Sequence, residues 1–378
     1  MDFSLSQEHI IFQDMLRKFI SNEIDPIVEE YDRRNEFPMH LWSKSAEIGL
    51  FGLQFSKKYG TPADNLYPII ASEELSRSSI GIAGSLGMHC FVAAPYIIRF
   101  GTEEQKKKYI PPAIKGEEIW ALGMTEPDAG SDFANISTTA VEDGNDWVIN
   151  GTKMFITNGT ICSHVIVVCN TSIAGKTGMS LIIVDKDSPG FSSGKKLDKL
   201  GWRTSDTAEL VFENCRVPKQ NLLGDLNRGF YHIMEGLVPE RLSMAAMGVG
   251  LAQACYDACH KYAKERHQFN KPIGSFQATG FKIVDMAMEI QLARIMTYYT
   301  AWLDSTGKDA TTEVCMAKTY ASEVATRAAV NAVQIFGGYG FMMEYPVQRF
   351  FRDTKVLEIG GGTSEIQRNI ILKRLGFH

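Results

Sequence analysis

Hydrophobic residues recur every three to four positions at both ends of the chain and alternate in short runs in its middle. An apolar stripe of helical period precedes Asp25-Pro26 and consists of Ile10, Ile11, Met15, Phe19 and Ile20. Further helices are predicted over 39–49, 67–78 and 85–100, and from Thr102, whose spacing to Gln105 fits a capping box. Pro111-Pro112 is expected to end the last of these helices, because proline lacks the amide hydrogen that a helix interior requires.

Between residues 119 and 217 the pattern changes to apolar, β-branched runs separated by turn residues. The segment 146–159 predicts two strands joined by Asn150-Gly151, a dipeptide typical of tight hairpin turns. Further strands are predicted over 165–169, 179–185 and 208–212. Because no helices alternate with these strands, the pattern predicts an all-β domain and not a βαβ nucleotide-binding fold.

Long helical patterns return from about residue 227. Small residues recur over 243–259, which permits close helix contact, and two more helices are predicted over 276–304 and 312–336. A last helix is predicted from Ser364 to about Gly376, with Ser364 and Gln367 at capping-box spacing. These four helices predict a bundle.

The predicted fold class is therefore α+β with three domains. We expect an N-terminal helical domain over 1–118, a central β-barrel or sandwich domain over 119–226 and a C-terminal four-helix bundle over 227–378. The chain has 378 residues and a mass of 42.1 kDa, which exceeds the usual size of a single hydrophobic core.

Composition excludes some classes of function. A net charge of −5 argues against a nucleic-acid-binding surface. The seven cysteines are scattered without a Cys-x-x-Cys pair, which predicts reduced thiols, no disulfide framework and no metal site. The first residues lack the features of a signal peptide, and we find no apolar stretch long enough to span a membrane. We predict a cytoplasmic protein, or a protein of the mitochondrial matrix if the chain is a processed form.

Three consecutive glycines, Gly360, Gly361 and Gly362, lead into the last predicted helix. The N-terminus of a helix carries unpaired N–H groups and partial positive charge, which suits a phosphate or a developing oxyanion. Glycines would also let a ligand approach the main chain closely. From these residues alone, an ordinary flexible loop before a C-terminal helix remains the alternative.

Four segments resemble the acyl-CoA dehydrogenase family, flavoenzymes that oxidise acyl-CoA thioesters. They are 122–132 (LGMTEPDAGSD), 201–213 (GWRTSDTAELVFE), 265–277 (ERHQFNKPIGSFQ) with 334–338 (QIFGG), and 352–368, which contains RDTK and GTSEIQR. The resemblance spans essentially the whole chain and is strongest to the isovaleryl-CoA and long-chain branches. It implies an FAD-dependent oxidation of an acyl-CoA to a 2-enoyl-CoA, with electron-transfer flavoprotein as the electron acceptor. It also implies a homo-oligomer, commonly a homotetramer.

The chain departs from many family members at the catalytic base. Many members carry a catalytic glutamate in the C-terminal loop, where this chain has Gly361. Either the base lies elsewhere or the chain is not a dehydrogenase. The isovaleryl and long-chain branches place the base on a bundle helix immediately before an arginine, and Glu240-Arg241 matches that pattern. The resemblance therefore implies Glu240 as the base and the Gly361 N–H, with a flavin hydroxyl, as the site for the thioester oxygen.

Local sequence features bear on this assignment in two ways. Pro239 is expected to kink or restart the helix, which would place Glu240 in a first turn, where the helix dipole favours a carboxylate. Desolvation beside an acyl chain would instead raise the pKa of Glu240. From composition alone, Glu240 would be a helix-start glutamate paired with Arg241. Glycines at positions 360 and 361 would leave space beside Cα and Cβ of the substrate, which favours a branched, cyclic or bulky acyl group.

The resemblance also implies which residues bind FAD and CoA. The flavin ring would contact Leu122, Met124, Thr125, Phe155, Ile156 and Thr157. The rest of FAD would contact Arg266, Gln277, Gln334, Gly337, Gly338, Thr363, Ser364 and Glu365. The acyl-CoA would contact Ser131, Tyr231, Arg241 and Gly362.

Simpler roles stay open for several of these residues. Phe155 would be strand core, Arg266 a charge at a helix end, Ser131 a turn residue and Tyr231 a core tyrosine. Two other functions also stay open: a flavin oxidase or monooxygenase of the same fold, and a noncatalytic relative that binds acyl-CoA or flavin.

Overall fold

The computed structural model describes residues 5–55, 58–60, 64–171 and 178–377. Helices, then a sheet, then helices follow one another along the chain, which confirms the predicted α+β class. Residues 1–4, on which the expectation about a signal peptide partly rests, lie outside the described residues. The domain bounds at 118 and 226 remain predictions.

The N-terminal region is built from short helices. They are α1 (Gln7–Phe19), α2 (Val28–Arg34), α3 (Leu41–Glu47), α4 (Leu66–Ser78), α5 (Ile80–Gly87), α6 (Ala94–Phe100) and α7 (Glu103–Ile114). The predicted capping box of α7 forms, since Gln105 N donates to Thr102 Oγ1 at 3.2 Å and Thr102 N donates to Gln105 Oε1 at 2.9 Å.

The prediction that Pro111-Pro112 ends the last helix of this region is wrong. Pro111 and Pro112 lie inside α7, in its last turn, where their carbonyls still accept from the Lys115 and Glu117 amides and the helix loses only donors. The apolar segment Ile80–Phe100 is also long enough to span a membrane by length and composition. However, 94% of its most apolar window is buried inside the protein, as in the core helix of a globular protein.

The central region forms one hydrogen-bonded sheet. Its strands are β1 (Trp120–Gly123), β2 (Thr139–Asp143), β3 (Asp146–Thr157), β4 (His164–Asn170), β5 (Met179–Asp185), β6 (Phe191–Lys196), β7 (Thr207–Pro218) and β8 (Leu222–Leu223). The strand order is β6-β7-β3-β2-β4-β5-β8, and β1 pairs with β4 in parallel. Ile166 of β4 packs in the hydrophobic cluster that includes Tyr109 of α7, and Val167 packs in a second cluster with Phe212 of β7. Both faces of β4 are therefore buried, which explains its continuous apolar run.

The predicted hairpin at Asn150-Gly151 is wrong. β3 runs unbroken through this dipeptide and pairs with β7 on both sides of an irregular register. The turn lies earlier, at Gly144-Asn145 between β2 and β3. Glycine is needed at position 151 because Thr138 packs closely against the backbone there: a Cβ on Gly151 would lie 2.4 Å from Thr138 Oγ1.

The C-terminal region is a bundle of long helices. After the short strands β9 (His267–Gln268) and β10 (Lys271–Pro272), which follow α8 (Gly229–Glu265), come α9 (Gln277–Ser305), α10 (Thr311–Phe336), α11 (Val347–Thr354) and α12 (Ser364–Arg374). α8, α9 and α12 all pack against α10. The small residues of α8 allow this, because a Cβ on Gly248 would lie 2.8 Å from the Ala321 carbonyl of α10.

The expected interruption of α8 at Pro239 does not occur. The helix continues through Pro239, whose missing N–H leaves the carbonyl of Glu235 without its usual helical partner. Arg99 Nη1 of α6 donates to that carbonyl at 3.2 Å, so a contact from another helix replaces the lost bond. Glu240 therefore lies in the interior of α8, away from the favourable end of the helix dipole.

Candidate active site

The triglycine segment 360–362 lies where α8, α10 and α12 meet. Gly361 and Gly362 adopt φ values of +61° and +90°, which glycine tolerates best. Three buried side chains bind their carbonyls: Arg241 Nε to Gly361 O at 3.1 Å, Lys318 Nζ to Gly362 O at 2.8 Å, and Gln367 Nε2 to Gly361 O at 2.9 Å and Gly362 O at 3.1 Å. The segment is therefore held from three helices, and the alternative of an ordinary flexible loop does not fit.

The carboxylate of Glu240 points to the space beside Gly361. A Cβ built on Gly361 would lie 3.8 Å from Glu240 Oε1 and only 2.5 Å from Met244 Sδ. A side chain at position 361 would therefore enter the volume that Glu240 and Met244 occupy from one face of α8. Met244 also lies 3.2 Å from a Cβ on Gly360, so the room left by the bare glycines is partly filled.

The surroundings of Glu240 favour a basic carboxylate. Its Oε2 is buried and has no hydrogen-bond partner among the described residues. Desolvation raises the pKa of Glu240 above its ordinary value, although the charges of Arg241 and Lys318 act in the opposite direction. The pairing with Arg241 considered from composition does not occur, since Arg241 contacts Gly361 O and lies 3.9 Å from Cys315 Sγ. A carboxylate with a raised pKa holds a proton more strongly, which suits proton abstraction near neutral pH.

Two residues predicted to contact the acyl-CoA lie near the start of α8. Tyr231 is 52% exposed, so it is not a core tyrosine, and the Arg228 guanidinium lies 4.1 Å from the centroid of its ring. Phe133, two residues after the exposed Ser131, packs against Phe230 with ring centroids 6.2 Å apart. The Ser131 loop and Tyr231 thus border one aromatic surface.

The predicted flavin-ring residues lie on and between β1 and β3. Met154 N donates to Thr125 O at 2.8 Å, and this bond holds the segment after β1 against β3. Phe155 lies in an irregular part of β3 with a φ of +61° and is 66% exposed, so it is not strand core. Leu122 and Ile156 are buried in hydrophobic clusters, while Thr157 is half-buried at the end of β3. Of these residues, Phe155 offers the largest exposed side chain to a ligand.

The residues predicted for the other end of FAD fall into two groups. Arg266, Gly337 and Gly338 line an open groove of about 410 Å³, in which the Arg266 guanidinium lies 5.5 Å from the centroid of the Tyr339 ring. A Cβ on Gly337 or Gly338 would meet no atom within 4 Å, so packing contacts do not require these glycines, although the φ of +62° at Gly337 itself favours glycine. Gln277 and Gln334 are exposed but do not line the groove.

The second group lies at the start of α12. Thr363, and not Ser364 as predicted, caps this helix, because Thr363 Oγ1 accepts from Ile366 N at 3.2 Å. Gln367 binds the glycine carbonyls and takes no part in a capping box. Ser364 Oγ is buried and has no hydrogen-bond partner among the described residues, and Glu365 is exposed.

Comparisons with known proteins agree with this arrangement. Family models match 6–117, 121–215 and 227–376, and they describe the N-terminal, middle and C-terminal domains of acyl-CoA dehydrogenase. The chain belongs to the acyl-CoA dehydrogenase family. Its members are flavoprotein oxidoreductases, and the earlier resemblance is confirmed.

The relatives cover nearly the full length of this chain. A probable acyl-CoA dehydrogenase of Bacillus subtilis is 44% identical and covers 99% of this chain and 100% of the relative. A mitochondrial isovaleryl-CoA dehydrogenase of Solanum tuberosum is 42% identical over 96% of this chain and 89% of the relative. The solved structure of butyryl-CoA dehydrogenase from Megasphaera elsdenii superposes with a TM-score of 0.96 at 38% identity and covers 99% and 100% of the two chains.

The sequence patterns did not predict the roles of two sets of buried polar residues. Lys318 and Gln367 hold the glycine segment, but an isolated lysine or glutamine in a helix carries no local signal of such a role. Lys153 Nζ donates to Glu126 Oε1 at 2.7 Å and to Met124 O at 3.2 Å, which ties β3 to the predicted flavin segment. The only available signal was a lysine within an otherwise alternating strand pattern.

Proposed function

We propose that this chain is an FAD-dependent dehydrogenase that converts an acyl-CoA to a 2-enoyl-CoA, with Glu240 as the catalytic base. The observation that carries the proposal is the 3.8 Å separation between Glu240 Oε1 and a Cβ built on Gly361. A carboxylate on α8 thus reaches the same space that a side chain from the bare loop would enter. A glycine at position 361 together with a glutamate at position 240 supports a catalytic base that lies on α8 and not in the C-terminal loop, where many family members carry it.

The proposed roles of the protein groups follow from their surroundings. Glu240 would take the α-proton, because desolvation raises its pKa and makes the carboxylate a stronger base. The Gly361 N–H would hold the thioester oxygen as negative charge develops on it. A glycine can donate this bond as well as any other residue can, and the contacts to the Gly361 and Gly362 carbonyls limit movement of the segment.

The residues present fit FAD in three respects. Ser364 Oγ is a buried hydroxyl without a partner among the described residues, Gly337 and Gly338 are open to close approach, and Phe155 exposes an aromatic face. When bound, FAD would accept the hydride from Cβ of the acyl group. Met124, Thr125 and Thr157 would meet the flavin ring, while Arg266 and Thr363 would meet the remainder of the cofactor.

We further propose a homo-oligomer, with a homotetramer as the specific prediction, and electron-transfer flavoprotein as the acceptor. One face of α9 supports association, because apolar residues at helical spacing are 46–60% exposed along it: Phe281, Val284, Met288, Leu292 and Ile295. All seven cysteines are free and buried, which supports a reducing compartment such as the cytoplasm. The acceptor is proposed from the family resemblance alone.

Replacement of the base tests the catalytic assignment. We expect Glu240→Gln to abolish flavin reduction by an acyl-CoA while the Kd of the thioester changes little, because the amide fills the same space but accepts no proton. The matched control is Glu235→Gln, an exposed glutamate on the same helix, which should retain full reduction. Full reduction in Glu240→Gln would remove the assignment.

A panel of thioesters and a reoxidation experiment would distinguish the remaining alternatives. Anaerobic titration with straight, branched, aromatic and dicarboxylic acyl-CoAs, followed by flavin absorbance, would identify the acyl class. A noncatalytic relative would bind a thioester without bleaching of the flavin. A flavin oxidase or monooxygenase would be reoxidised rapidly by air after reduction.

A further inference from the structure

Lys318 is a buried cation at the back of the glycine segment. Its side chain is fully buried on α10, and its Nζ donates to the Gly362 carbonyl at 2.8 Å. No ion pair to a carboxylate involves Lys318 among the described residues, so its hydrogen bond to a neutral carbonyl does not cancel its charge. A buried ammonium without such a partner is costly, which indicates that the position serves a purpose beyond packing.

Lys318 belongs to the same electrostatic group as the proposed base. Desolvation and the charge of Arg241 lower the pKa of Lys318 to about 8, while Glu358 and Glu240 act to raise it, as Cys315 does to a smaller degree. The lysine is therefore mainly protonated at neutral pH. In return, the charges of Arg241 and Lys318 oppose the rise in the pKa of Glu240.

The bond from Lys318 also restricts the glycine segment. Glycines have the widest choice of backbone conformations, so two successive glycines at positive φ need outside contacts to stay in one arrangement. Because a peptide unit is planar, a contact that anchors the Gly362 carbonyl also fixes the direction of the Thr363 N–H. The Gly361 N–H shares its peptide unit with the Gly360 carbonyl, so Lys318 restrains it only through the conformation of the whole segment. Lys318 and Gln367 anchor the Gly362 carbonyl in this way from two helices.

We propose that Lys318 is a positioning residue, whose ammonium group restrains the glycine segment beside the base through the Gly362 carbonyl and whose charge stabilises the Glu240 carboxylate. This inference rests on the proposed function. Groups that face Glu240 from the neighbouring elements are Arg241 on α8, Lys318 on α10 and Tyr96 on α6. Arg241 and Lys318 both bind the glycine segment, Arg241 at Gly361 O from α8 and Lys318 at Gly362 O from α10. Lys318 is therefore the cation that connects the segment to a helix other than the one that carries Glu240.

The test uses the FAD-loaded enzyme and two replacements of Lys318. Lys318→Met removes the charge and the donor at similar length, whereas Lys318→Gln removes the charge and keeps a donor. The readout uses an acyl-CoA that reduces the flavin of the wild-type enzyme. Mass spectrometry measures, as a function of pH, how fast the Cα hydrogen of this acyl-CoA exchanges for solvent deuterium. Flavin reduction, the Kd of the thioester and the urea unfolding midpoint are measured beside it.

We expect both variants to move the midpoint of the pH profile upward, because the carboxylate loses a stabilising charge. Exchange at neutral pH should fall about tenfold, with a smaller change in Kd. The matched control is Ser322→Ala, one turn further along α10. Ser322 Oγ is a neutral, buried donor that lies 2.7 Å from the backbone carbonyl of Lys318 and 3.0 Å from Leu357 O, and it does not contact the Lys318 ammonium. This control should lower the unfolding midpoint and leave the pH midpoint in place.

Each outcome decides one of the two proposals. A pH midpoint in both Lys318 variants that equals the wild-type midpoint overturns the role of Lys318. If both Lys318 variants fail to fold while Ser322→Ala folds, Lys318 is structural and the proposal is also overturned. A wild-type enzyme that neither exchanges the Cα hydrogen nor reduces its flavin with any thioester overturns the proposed function instead.

Discussion

Removing one partner of the buried ion pair between Lys153 and Glu126 should destabilise the central sheet far more than removing one partner of an exposed pair. Lys153 Nζ lies 2.7 Å from Glu126 Oε1, and the two side chains are 0% and 2% exposed. Lys153→Met removes this pair together with the 3.2 Å bond to Met124 O. Glu126 would keep its bonds from Ser137 N, Ser137 Oγ and Thr138 N, at 2.6, 2.7 and 2.9 Å.

The expected cost of Lys153→Met can be bounded from these contacts. Breaking a buried pair by removing one partner costs about 3–5 kcal/mol, because the other charge stays buried without compensation. The three remaining bonds to Glu126 place the expectation near the lower limit, at about 3 kcal/mol. The double variant Lys153→Met/Glu126→Gln should be more stable than Lys153→Met, because it leaves no isolated charge.

Urea unfolding followed by circular dichroism would measure these differences. The matched control is Lys219→Met, since Lys219 Nζ, directly after β7, and Glu142 Oε2 of β2 are also 2.7 Å apart but are 39% and 42% exposed. Its expected cost is about 0–1 kcal/mol. Equal losses in Lys153→Met and Lys219→Met, or a double variant less stable than Lys153→Met, would refute the argument from burial.

Two further predictions concern Glu126 and Gly361. Desolvation opposes ionisation of Glu126, but bonds from Lys153, Thr138 and Ser137 outweigh it and lower its pKa to about 2. The carboxylate therefore stabilises the fold above its unfolded pKa of about 4.3, and this stabilisation is lost as the pH falls towards about 2. Unfolding midpoints at pH 5 and pH 3 should thus differ less in Glu126→Gln than in the wild type, and an unchanged difference would contradict this sign. Gly361→Ala should cost about 1–2 kcal/mol in the urea unfolding assay, because its φ is +61° and the new Cβ would meet Met244 Sδ at 2.5 Å. Gly130→Ala, whose Cβ meets nothing within 4 Å, should be neutral in that assay.

Much of the architecture could be predicted from the periodic spacing of hydrophobic residues along the chain and from local capping signals. The order of helices, sheet and helices and the capping box at Thr102 follow from residues that are close in sequence. Glu240 and Gly361 could be singled out together only because the motifs around them resemble a known family. In the structure, position 361 lies beside the Glu240 carboxylate, although 121 positions separate the two residues in the sequence (361 − 240).

The remaining features depend on contacts between distant segments, which no local pattern records. Pro239 fails to break α8 because Arg99 of another helix binds the carbonyl that the proline leaves unpaired. Asn150-Gly151 stays within a strand because pairing with β7 outweighs its preference for a turn. Lys318 and Gln367 acquire their roles only when three helices meet at the glycine segment. The sequence by itself determined the elements and their order, since these follow from local preference and periodic burial. Tertiary structure alone decided which buried polar groups meet, because each needs a partner whose position the local sequence does not encode.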